Sequence, residues 1–113
     1  MSARTYLVDR FRGDAATLRE RAASLASGAT IPGPDFATSS QMAEACEAVV
    51  ALVQGLPSDG EDANSSATLL SLIPTLDARS HAASHPAVRA VFAGAIARIR
   101  EVHAADAQAA DPT

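Results

Sequence analysis

Apolar residues return along this chain at steps of three and four, the spacing that keeps side chains on one face of an α-helix. Leu7, Phe11, Ala15, Leu18, Ala22 and Leu25 predict a first helix from about Ala3 to Ser27, stopped by Gly28. Gly13 followed by Asp14 offers a place to split it, with Asp14 as an N-cap, but the apolar phase runs through the pair and favours one helix, bent at most. The stretch GATIPGPDF carries two prolines and two glycines, so it reads as an ordered loop with Ile31 and Phe36 tucked inward.

Thr38 and Gln41 have capping-box spacing, with Ser39 and Ser40 as competing caps, and so predict that a second helix starts there and ends at about Gln54, before Gly55 and Pro57. Its apolar set is Met42, Cys46, Val49, Val50, Leu52, Val53 and Leu56, an arc wide enough to make it the most enclosed helix. SDGEDA follows as an exposed acidic connection. A third helix opens near Ser65 or Ser66 with Leu69, Leu72, Ile73 and Leu76 buried, and Pro74 inside that row predicts a kink or restart. His85 and Pro86 mark a boundary. The fourth helix runs from Pro86 to about Ala105, burying Val88, Val91, Phe92, Ala95, Ile99 and Val102, and the tail AQAADPT frays.

The expected architecture is therefore all-α: a compact four-helix bundle with a proline-kinked third helix, one domain over residues 1–107, and a flexible tail over 108–113. Composition agrees. Alanine is about a quarter of the 113 residues and loses no side-chain entropy in a helix. It also buries little area, and aromatic residues are only 4% of the chain, so the core is modest unless a partner adds to it. A formal charge of −4 disfavours nucleic acid, whose phosphates need a basic face. A single cysteine allows no intramolecular disulfide and suits a reducing cytoplasm. The opening MSARTYLVDRFRGD lacks the uninterrupted apolar stretch of a secretory signal or anchor, and no later run is long enough to span a bilayer, so no membrane is expected as a partner. Every basic residue apart from histidine is arginine, which with the alanine excess matches the codon bias of a GC-rich bacterial genome.

Few residues offer chemistry. Asp77, His81 and His85 stand four apart, which on an unbroken helix would align a carboxylate and two imidazoles as ligands for a divalent ion. Pro86 opposes helical geometry at His85, so a cap is the plainer reading of that residue. Arg98 and His103 resemble, over these two residues, the arginine-x4-histidine spacing of the HEPN family of helical ribonucleases. The polar residue that usually follows the arginine there is absent, and a separation of five turns the two side chains about 140° apart on a regular helix. SDGEDAN alternates acidic residues around a glycine but lacks the closing glutamate of a calcium loop. TSSQM lacks the aspartate-serine-leucine signature of acyl-carrier proteins. Cys46, on an apolar face with no basic residue one turn away, reads as a small hydrophobe.

The fourth helix is the more informative surface. Opposite its buried row, Ala90, Ala93, Gly94, Ala97 and Ala104 form a second stripe of small residues, interrupted by Glu101 and flanked by Arg89, Arg98 and Arg100. Ala90, Ala93, Gly94, Ala97 and Arg98 are the candidate interface. The arginines of the first helix, Arg10 and Arg21 on one side and Arg12 and Arg19 on the other, read as solvated flanks. The functional expectation is a non-enzymatic interaction or regulatory module with a protein partner, a second copy being the candidate, and no cofactor. The alternative is a metal-binding protein or enzyme using Asp77, His81 and His85. A helix-turn-helix is poorer, because PAVRAVFAG has few side chains able to read bases.

Overall fold

The computed structural model describes residues 3–56 and 66–110, with side chains described as far as residue 105. It is an all-α bundle: α1 (Ala3–Ala26), α2 (Phe36–Gln54), a 3₁₀ helix (Ser66–Leu72), α3 (Ile73–Ala82) and α4 (Pro86–Ala110), with no strand among the described residues. α1 and α2 run antiparallel, since Arg4 donates to the Leu56 carbonyl at one end and Arg19 pairs with Glu47 farther along. Thr38 lies beside His85, and Val88 and Phe92 share a cleft with Glu44 and Ala48, so α4 runs parallel to α2 and therefore antiparallel to α1. Among the described residues no helix is long and apolar enough to cross a membrane.

α1 passes through Gly13 as one helix and turns out at Gly28, whose φ of 97° suits a residue without Cβ. α2 begins earlier than the Thr38–Gln41 spacing predicts. Asp35 is the N-cap, its carboxylate accepting the Thr38 backbone N–H at 2.8 Å, so Thr38 is already inside the first turn. That shift turns Ser39 into a buried helical residue rather than a cap, and its Oγ has no hydrogen-bond partner among the described residues. It also carries Phe36 outward. Instead of tucking in, Phe36 is 51% exposed, and Ile31 is only half-buried.

The third segment restarts rather than kinks. Ser66, Leu69 and Leu72 are the buried residues of its 3₁₀ part, a repeat of three that stacks them on one face only when the turn holds three residues. Pro74 then falls in the first turn of α3, where its missing N–H is tolerated, and Leu76 resumes the buried row at helical spacing. α4 continues past Ala105 to Ala110, overtaking the fray point read from the sequence. The acidic SDGEDA connection and residues 111–113 lie outside the described residues.

The core gathers Leu7 and Phe11 from α1, Val49 and Val53 from α2, Leu69, Leu72 and Leu76 from the third segment, and Phe92, Ala95 and Ile99 from α4. α1 packs along α2 and hardly touches α4. That asymmetry leaves α1 and α4 apart, with a groove between them.

Candidate functional site

The proposed metal ligands divide. His81 donates from Nδ1 to the Asp77 carbonyl at 2.8 Å, and the same nitrogen is 3.6 Å from the Asp77 carboxylate, both side chains standing in solvent. His85 belongs elsewhere. Its Nδ1 accepts the Ala87 N–H at 3.0 Å, satisfying one of the free amides of the α4 N-terminus, while its Nε2 lies 3.5 Å from the Thr38 hydroxyl of α2. No group of three histidine, cysteine or acidic side chains able to hold a metal occurs among the described residues. Arg98 and His103 separate too: Arg98 pairs with Glu101 at 3.3 Å, and His103 Nδ1 lies 3.2 Å from Ser66 Oγ. At 1% exposure Ser66 presents no face to a substrate, so the contact ties the 3₁₀ helix to α4 rather than arming a nucleophile.

Cys46 is buried, and burial, with smaller contributions from the charges of Asp14 and Glu47, pushes its thiol up to about 11. It is therefore protonated at neutral pH and inert as a nucleophile. Asp35 moves the other way: hydrogen bonds from the Thr38 hydroxyl and backbone N–H hold its carboxyl below the usual 3.8.

Where α1 and α4 stand apart there is a groove of about 440 Å³. α1 supplies Arg10, Phe11, Asp14, Thr17 and Leu18, α2 supplies Met42 and Cys46 at the floor, and α4 supplies Ala90, Val91, Gly94 and Arg98. The candidate stripe thus faces two ways. Ala90, Gly94 and Arg98 line the groove, while Ala93 and Ala97 are exposed on the outer face. No protein-family model, curated protein or solved structure matches this chain.

Among the contacts with no signature in the sequence, three join parts of the bundle around α1 and α4. Arg21 donates to the carbonyls of Ile31 (3.2 Å), Pro32 (2.7 Å) and Pro34 (2.9 and 3.0 Å), clamping the loop between α1 and α2. Gly33 has φ of 109°, a conformation that suits a residue without Cβ, and a Cβ there would press on that guanidinium at 3.1 Å. The others are Arg19 with Glu47 and Ser66 with His103. The clamp uses main-chain acceptors that every residue has, and the other two join positions far apart in the chain.

Proposed function

We propose that this protein is a small non-enzymatic interaction or regulatory module that associates with a second copy of itself through the stripe of small residues on α4, which runs from the edge of the α1–α4 groove to the outer face. The observation that carries this reading is Gly94. Glycine inside a helix is destabilising by roughly 0.5–1 kcal/mol relative to alanine, yet a Cβ at Gly94 would meet nothing within 4 Å, so internal packing does not require it. With Ala90, Ala93 and Ala97 exposed beside it, the helix offers a strip on which another backbone can come close, because the distance between packed helices is set by the side chains at the contact. Glu101, exposed beside the strip, gives it a charged end and pairs with Arg98 of the groove. The single thiol suits a cytoplasmic setting, and the arginine-only basicity suits a bacterial source.

Light scattering over a range of concentrations tests the reading. The wild type is expected to dimerise, and Gly94→Glu or Ala97→Glu to remain monomeric with an unchanged circular dichroism spectrum, since each puts a charge where two helices meet. A wild type that stays monomeric throughout rejects self-association.

A further inference from the structure

We propose that the groove between α1 and α4 is a binding site for an amphipathic monocarboxylate, a medium-chain fatty acid or a molecule of the same chemistry. This goes beyond the association reading and rests on the groove side of α4 and on α1. Because α1 and α4 are antiparallel, Arg10, the first residue α1 gives to the groove, and Arg98, the last residue α4 gives, fall at the same end. By the same logic Leu18 and Ala90 fall together at the other end, with Met42 of α2. The groove has a cationic end and an apolar end.

The cationic end has donors to spare. Arg10 engages Asp14 through Nε at 3.5 Å, and Arg98 engages Glu101 through Nη1 at 3.3 Å. No other hydrogen-bond partner of either guanidinium is found among the described residues, so each keeps donors of the planar kind that suits a carboxylate. The Arg98 side chain is 35% exposed, held against the groove wall rather than extended into water. From that end the floor runs through Phe11, Cys46 and Val91 to Leu18 and Met42, and Gly94 leaves the wall without a side chain midway. Asp14 is the opposing charge on the lining, half-exposed and turned to Arg10. The volume of about 440 Å³ lies within the ~300–1,000 Å³ typical of small-ligand sites.

The test is titration of isotopically labelled protein with decanoate, followed by NMR, with hexanoate, decanol and decyltrimethylammonium as comparisons. Saturable shifts are expected at the amides of Phe11, Leu18, Cys46 and Gly94. Affinity should fall about two- to fourfold for each methylene removed, as apolar contact is lost. Decyltrimethylammonium should bind at least about tenfold more weakly than decanoate, because its charge opposes the guanidinium end. Arg98→Gln and Arg10→Gln should each weaken decanoate about three- to tenfold, and Asp14→Asn should tighten it, with circular dichroism confirming that each variant is folded. Decanol matching decanoate would mean apolar adsorption only and overturns the proposal, as does indifference to both arginine substitutions. A protein found dimeric by light scattering and unresponsive to decanoate would assign the groove to the second copy, which also overturns it.

Discussion

The two flanks of α1 carry similar residues and do different things. On the α2 side, Arg4 and Arg19 each reach off their own helix, to the Leu56 carbonyl and to Glu47, and at the C-terminal end of α1 Arg21 reaches the carbonyls of the connecting loop. On the α4 side, Arg10 turns back to Asp14 within α1, and Arg98 turns to Glu101 within α4. One flank is tied to its neighbour across clefts of about 410 and 300 Å³ that Arg12 lines, and the other is left as a groove whose charges pair within their own helices. An arginine beside an apolar row therefore says little by itself; what it reaches decides whether that side of a helix is interior or open.

The largest effect that can break this contrast is in the packing. Leu7, fully buried in the core, should cost about 2–5 kcal/mol when changed to alanine, whereas Leu18, half-buried at the groove floor, should cost less than about 1.5 kcal/mol because it leaves no closed cavity. Chemical denaturation of the two variants measures the difference, and equal losses would mean that the groove is as well packed as the core.

The arginines come next. Arg21→Ala should destabilise by about 1–2 kcal/mol, since it frees the loop and leaves several carbonyls without their donor, after a discount for exposure. Arg10→Ala removes an exposed pair one helical turn apart and should cost about 0.5 kcal/mol or less. Denaturation midpoints at low and high salt check both, the second being the more easily erased by salt.

Much of this fold is legible in the residues, and what is not has a physical reason. The apolar rows found the helices and most of the core, and Pro74 announced the break in the third segment. The change to a 3₁₀ helix shows only in the step of three between Ser66, Leu69 and Leu72, which a search for helical spacing reads past. Residue patterns put the start of α2 too late because Asp35 sits in a proline-rich loop and the hydroxyls after it look like better caps, and the positions expected of Phe36 and Ser39 shift with it. In the site, the stripe on α4 is readable from spacing alone. The groove is not, because it depends on how far α1 stands from α4, and no local pattern encodes that separation. His81 and His85 share a spacing but not a surrounding, since Pro86 starts a new helix between their directions.

Two smaller tests sharpen the comparison. Gly13 and Gly94 both have open space where a Cβ would sit, so alanine at either should stabilise the folded chain by about 0.5–1 kcal/mol. Only Gly94→Ala should also weaken association, and a cross-check of melting and light scattering separates the two positions. Acid gives the smallest effect. Asp35 titrates lower in the folded chain than in the unfolded one, so its capping contribution is complete above the usual carboxylate value and is lost as the pH falls through the lowered one. The advantage of the wild type over Asp35→Ala in denaturation should therefore shrink on acidification below about pH 4.

The central claim is that the chain keeps its working surface on the α4 side and its ties on the α2 side. An NMR map of amide shifts against protein concentration tests it most directly. Concentration-dependent shifts are expected at Ala93, Gly94 and Ala97, with Arg19, Arg21 and Glu47 unmoved. Spectra that do not change with concentration, or shifts gathered on the Arg19 and Glu47 side, would contradict it.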